Sequence, residues 1–339
     1  MQNKILRFDS AAIVSSGSAV GKKETQGPIG DCFDLHDLSD RFGKSTWEKS
    51  ESEMQRLSLN VALSKIGASE RDVGALFAGD LLNQCVGSSY GLLDFDIPYF
   101  GLYGACSTAI EGLMLSAMMC NAGYFDTCAA VTSSHYCSAE RQYRTPIEYG
   151  AQRTPTAQWT VTGAGAFVVK REGDVRITEA LPGVALEKGI NDPSNMGAAM
   201  APAAADTLLR YFKNSDTSPA DFDMIVTGDL GYEGGDILCE LLLAQGIDIG
   251  SRYNDCGIII YDKASQDTHA GGSGCGCSAV VLASYLLPRL KSGSLRDILI
   301  VGTGAMMSPS SIQQGEAIPA VAHLLRISKD KNSESEERK

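Results

Sequence analysis

Cys106 stands in LYGACSTAIEGLMLSAMMCNAGYFDTCAAV, Leu102 to Val131, between a strand-like run and a long apolar helix-like run. A thiol at the start of a helix meets the positive end of the helix dipole and unpaired backbone N–H groups. These favour a nucleophilic thiolate and equally favour a bound carboxylate. The other reading is steric: a small side chain is needed where the strand turns into the helix, and reduced Cys is often simply buried. His269 stands in DKASQDTHAGGSGCGCS, a polar and then glycine-rich passage. Protonated, its ring could pair with a ligand carboxylate; neutral, it could donate through either nitrogen. Gly271, Gly272, Gly274 and Gly276 would let backbone N–H groups approach an anion, although a tight turn into the following helix explains them equally well. Cys275 and Cys277 form a lone Cys-x-Cys, which is poor zinc evidence without a second spaced pair, so small-residue packing is the better reading and no metal is expected. His135, in TSSHYCSAERQYR, could face a pocket or merely end a strand, and the second reading is preferred.

The elements that position these residues repeat. SERDVGALFAGDL, Ser69 to Leu81, and SPADFDMIVTGDL, Ser218 to Leu230, share Ser, Asp and a closing Gly-Asp-Leu in one register. Each follows a segment with apolar residues at helical spacing and enters a short β-rich run. A second pair, CSTAIEGLMLSAMMCNAGYFDTCAAVT and CSAVVLASYLLPRLKSGSLRDILIVGTG, opens with Cys-Ser on an apolar helix, breaks at Gly and continues into a buried strand. The chain therefore reads as duplicated, with one half over residues 1–172, a second over 173–326 and a polar tail over 327–339. Alternating helices and short apolar strands predict a mostly parallel sheet covered on both faces in each half, with a cleft at the junction.

Composition sets outer limits. The 339 residues carry a net charge of −12, with 21% charged and 44% hydrophobic residues, so the chain is globular and lacks the basic surface that nucleic-acid binding needs. No apolar run approaches the roughly 18–20 residues of a membrane span, and the opening MQNKILRFDS has no signal-peptide core. The ten cysteines sit mostly in apolar runs, which points to a reducing, intracellular setting.

Three of these passages resemble the thiolase superfamily, which includes thiolases and ketoacyl synthases. GACSTAIEGL resembles its nucleophile turn, HAGGSGCGCSA its later His-x-x-Gly-x-x-Gly segment, and VTGAGAFVVK the glycine-rich strand closing the first half, with Thr162 where Asp is usual. A closer resemblance, carried by LYGACSTAIEGL, TGDLGYEGGDIL, DTHAGGSGCGCSA and VGTGAMMSP together, is to the stage V sporulation protein AD family of spore-forming Firmicutes. The resemblance implies an α/β fold, thiolase-like, in a duplicated layered α/β/α/β/α architecture. It implies binding of dipicolinic acid, or its calcium chelate, rather than catalysis. The protein would be the soluble component of a spore channel system that moves this ligand in sporulation and germination. Membrane-embedded proteins would be its partners, and it would sit peripherally on the spore inner membrane. A homodimer is implied, and no cofactor beyond calcium carried with the ligand.

The resemblance also sharpens the site. Condensing chemistry needs paired His or Asn donors for a developing oxyanion; His269 could supply one, and the second position, at the end of DMIVTGDL, is Asp229. A carboxylate donates only when protonated, so condensation is disfavoured. Asp229 could orient His269 or help hold calcium; equally, because Asp80 is its counterpart in the first half, it could simply cap a strand exit. Arg141, Arg144 and Arg153 could pair with the two carboxylates of a planar diacid, while Tyr143 or Trp159 stacks on its ring; solvent-facing loop charges are the plainer alternative. The competing function is an active acyltransferase of the thiolase or ketoacyl-synthase type using Cys106.

Overall fold

The structure is a computed structural model that describes residues 4–143 and 152–330. In the first half the main strands are β1 (Ala12–Val20), β2 (Ala75–Gly79), β3 (Tyr99–Leu102), β4 (Thr127–Ser134) and β5 (Gly163–Lys170). In the second they are β6 (Val175–Leu181), β7 (Met224–Thr227), β8 (Tyr253–Asp255), β9 (Asp297–Ala305) and β10 (Ala320–Lys329). The spatial order is β1-β5-β4-β2-β3 in one half and β6-β10-β9-β7-β8 in the other. Directions match as well: β2 is parallel to both neighbours and β5 antiparallel to both of its own, and β7 and β10 repeat this. The repeated Gly-Asp-Leu passages thus leave β2 and β7, which hold the same place in each half. A pairing of Ala12 with Arg176 joins the halves into one twelve-stranded sheet among the described residues.

The inner strands are buried on both faces, which fits the apolar run of β2 and the small, buried residues of β4. The helices that cover them are α1 (Trp47–Ser64), α2 (Thr108–Asn121), α3 (Tyr136–Tyr143), α4 (Met196–Asn214), α5 (Gly231–Leu243) and α6 (Cys275–Val281). Helix α1 starts where the Thr46 hydroxyl accepts the Lys49 N–H at 3.4 Å, and α4 where the Asn195 side chain accepts the Ala198 N–H at 3.2 Å. Helix α1 lies on the outer face of β1 and β5, whereas α4 covers β9 and β10 with α5 beside it. Between the halves run α2 and α6. Helix α2 touches β2, β4 and β5 on one side and β9 and β10 on the other, which is why it is apolar nearly all round. The layers are α/β/α/β/α.

Close contact of the central helices depends on missing side chains. A Cβ on Gly165 of β5 would fall 2.7 Å from the backbone of Ala279 in α6, and one on Gly302 of β9 would fall 2.7 Å from Ile110 in α2. One boundary differs from the sequence expectation. Strand β10 runs through Lys329, so the first residues assigned to the polar tail belong to the sheet: Ile327 is fully buried and pairs with Ile298 and Ile177. Its apolar side chain gains more from that pairing than the charged residues after it can oppose.

Candidate ligand-binding site

The chain leaves β3 at Leu102 and turns into α2 through Gly104–Ser107. The Ser107 hydroxyl donates to the Gly104 carbonyl at 2.6 Å, and the Thr108 hydroxyl donates to the Ala105 carbonyl at 2.6 Å while accepting the Gly104 N–H at 3.1 Å. Ala105 is held at φ 49°, a left-handed conformation unusual for a residue with a side chain. Strand β9 presses on this turn so closely that a Cβ on Gly304 would lie 2.2 Å from the Gly104 carbonyl oxygen. Cys106 is thereby fixed where the two halves meet, buried but lining a cavity of about 270 Å³.

Asp229, just past β7, stands beside it. One carboxylate oxygen accepts the Thr303 hydroxyl at 2.7 Å; the other accepts the Gly274 N–H at 2.9 Å and the Ser273 hydroxyl at 3.2 Å. The Asp229 carboxylate is also close enough to act on the Cys106 thiol. Burial pushes the Cys106 thiol far up, and the negative charge of Asp229 pushes it further. Burial likewise raises the Asp229 carboxyl. The helix entrance would favour a thiolate, but enclosure beside an acid outweighs it, so the sulfur is a neutral donor. Asp80, the counterpart in the first half, accepts the Leu82 N–H at 2.8 Å, the Ser88 N–H at 2.7 Å and the Ser88 hydroxyl at 2.6 Å. Both acids therefore cap backbone N–H groups after a strand, and Asp229 in addition engages the cavity sulfur.

Elsewhere the wall is aromatic, thioether and neutral polar. Tyr103 and Tyr143 join hydroxyls at 2.8 Å, the Tyr143 hydroxyl donates to the Leu81 carbonyl, and Met196 and Met307 add apolar surface. Gln158 donates its amide to the carbonyls of Asp229 at 2.7 Å and Gly272 at 3.0 Å, which fixes the orientation of the side chain. Thr160, Ser194 and Ser273 supply hydroxyls, and Glu140 is the one charged side chain among the described lining residues.

Cys106, Asp229 and Tyr143 are brought to this place; other expected residues are not. His269 does not line the cavity: its Nδ1 donates to the Thr154 carbonyl at 2.6 Å and its Nε2 lies 3.0 Å from Asp267. Arg153 donates to the carbonyl and the carboxylate of Asp267, both at 2.8 Å, and Arg141 pairs with Glu48. His135 is an interior residue whose Nε2 donates to the Asp40 carbonyl at 2.8 Å and whose Nδ1 accepts the Cys137 N–H at 3.2 Å; burial lowers its pKa, so it is neutral. Trp159 stacks on Tyr136 with ring centres 3.8 Å apart instead of facing the cavity. Arg144 lies outside the described residues. Cys275 and Cys277 are buried, and among the described residues no group of three His, Cys, Asp or Glu side chains is placed to hold a metal ion. From the glycine-rich passage it is Ser273 and Gly274 that meet Asp229, because Gly272–Ser273 pairs with Trp159–Thr160 as a short parallel ladder. The flanking glycines were the available signal; Met196, Met307 and Gln158 carried none.

The sequence model of the family described as Stage V sporulation protein AD matches residues 2–328. Stage V sporulation protein AD of Bacillus subtilis (strain 168) is 43% identical over 310 residues, 91% of each chain. Among solved structures, 3-oxoacyl-(acyl carrier protein) synthase III from Xanthomonas oryzae pv. oryzae is similar with a TM-score of 0.60 at 16% identity, over 94% of this chain and 100% of that one. The 3-oxoacyl-[acyl-carrier-protein] synthase III from Aquifex aeolicus VF5 gives 0.57 at 13%, over 93% and 99%. At such identities the likeness to the synthases speaks for the fold alone. The sequence likeness is of a different order, and it places this thiolase-like chain in the stage V sporulation protein AD family.

Proposed function

We propose that this sporulation protein is a non-catalytic binder whose cavity beside Cys106 takes dipicolinic acid or its calcium chelate. The observation that carries the reading is the pairing of Cys106 with Asp229. A hollow persists at the helix entrance, yet the sulfur is held as a thiol against an acid, where carbon–carbon bond formation would need a thiolate and a pair of donors. The volume, about 270 Å³, suits one small ring system and lies just below the roughly 300–1,000 Å³ usual for ligand sites. Tyr103 and Tyr143 offer ring faces, and Cys106, Ser273 and Thr160 offer neutral donors to carboxylate oxygens. With no Lys, Arg or His among the described lining residues, a dianion would enter without a counter-charge, so the neutral one-to-one calcium chelate is the favoured form.

In the same reading the protein serves as the soluble component of a channel system that moves this ligand in sporulation and germination. No helix among the described residues is long and apolar enough to cross a membrane, so contact with the spore inner membrane would run through membrane-embedded partners. A second copy of the chain is a further expected partner. Titration calorimetry with dipicolinate, with and without calcium, tests the binding. Saturable heat is expected, stronger with calcium, and Cys106→Ser should keep affinity within roughly fivefold because the hydroxyl replaces one neutral donor worth about 1 kcal/mol. Absence of saturable heat, or an acyl adduct on Cys106 with turnover of an acyl thioester, would overturn it.

A further inference from the structure

Two chain segments supply one side of the cavity: Gln152–Thr160, which contributes Gln152, Ala157, Gln158 and Thr160, and the passage ending at Ser273. Their later parts are laced by backbone bonds, from the Ala270 N–H to Ala157, from Trp159 to Gly271 and from Val161 to Ser273, at 3.1, 2.8 and 2.8 Å. The earlier part, Gln152–Thr156, has no regular structure, and ionic and side-chain bonds tie it to the other passage. The Arg153 guanidinium clamps both the carbonyl and the carboxylate of Asp267 at 2.8 Å, while His269 holds the Thr154 carbonyl at 2.6 Å and meets the other Asp267 oxygen at 3.0 Å. Arg153 and Lys23 also rest on the Trp159 ring, 4.9 and 4.1 Å from its centre, which steadies the cation side. Asp267 at φ 49° and His269 at φ 50° are both left-handed. Non-glycine residues keep that backbone only where their surroundings over-determine it.

We infer that Arg153, Asp267 and His269 form a latch that fastens the segment Gln152–Thr156, whose Gln152 lines the cavity, and so governs entry to the cavity and to Cys106. They are positioning residues that act through that segment. The latch shares its cavity with the function proposed above but not its ligand, so its test needs none. The probe is methyl methanethiosulfonate, a small thiol reagent, applied at one pH to the full chain, with modification of each cysteine read by peptide mass spectrometry. Releasing the latch in Asp267→Ala, or removing its His269 arm, with the contacts to Thr154 and Asp267, in His269→Ala, should raise the Cys106 rate about tenfold. Cys256 and Cys277, fully buried in the core, should stay unmodified, and Asp267→Glu should restore slow modification. An unchanged Cys106 rate in either folded variant overturns the latch. So does a rise matched at Cys256 and Cys277, which would mean general loosening. Failure of dipicolinate to bind would sink the proposed ligand and leave this result standing.

Discussion

Glu24 is fully enclosed, with one carboxyl oxygen accepting the Thr162 N–H at 2.9 Å and the Tyr261 hydroxyl, and the other without a donor. Burial pushes its pKa up from 4.5 to about 7 against those hydrogen bonds. Between these two values the folded chain keeps a proton that the unfolded chain releases. The stability that depends on it is whole below pH 4.5, falls as pH rises and is gone above 7. Glu24→Gln keeps both accepted bonds without the ionisation. The variant should therefore gain on the wild type by about 2.5 kcal/mol between pH 5 and pH 8 in urea unfolding, any fixed packing cost cancelling. A gap that does not change with pH would refute the assignment. Burial likewise decides Cys106, and here the sequence was half legible. The strand-to-helix turn that holds Cys106 and the strand exit that holds Asp229 are both matters of local pattern. Which residue of the glycine-rich passage turns inward was not local. The ladder between Gly272–Ser273 and Trp159–Thr160 chooses Ser273 and leaves His269 on the outer side.

At the level of elements, the duplicated pattern of helix, buried strand and Gly-Asp-Leu exit was readable because apolar periodicity records burial directly. Less readable was why VTGAGAFVVK needs its glycines. Strand β5 carries α6 across its face, and the missing side chain of Gly165 is what lets the Ala279 backbone approach. Gly165→Ala would place a methyl group 2.7 Å from the Ala279 carbonyl, and backbone atoms of a packed helix have little room to retreat. We expect a loss of about 2–3 kcal/mol, seen as a lower urea midpoint with an unchanged slope. A loss under roughly 0.5 kcal/mol, the size of a surface substitution, would show that α6 can shift. Strand β10 makes the complementary point. Its last residues read as tail because the charged residues that follow dominate the window, while Ile327 is drawn in by partners far away in sequence.

Across the whole molecule, the two halves close on each other at β1 and β6, which leaves β3 and β8 as the outer strands of the sheet. Strand β3 is poorly protected: Tyr99 is 40% and Phe100 46% exposed, with Tyr103, Tyr90 and Leu93 also open nearby. An edge with free backbone groups and exposed aromatic side chains invites another strand, and a second copy can offer its own β3 in antiparallel register about a twofold axis. Homodimerisation through this edge would extend the sheet across two molecules. It would also stiffen the turn that follows β3, which carries Tyr103 and Cys106 into the cavity. Light scattering on the purified chain should give twice the chain mass at micromolar concentration. Phe100→Arg and Tyr99→Arg should each shift it towards the monomer, because the symmetry sets every new charge near its own copy. Circular dichroism separates this from unfolding. If the wild type is already monomeric, or if both folded variants stay dimeric, the second copy does not sit on β3 and the cavity wall must be stiffened within one chain.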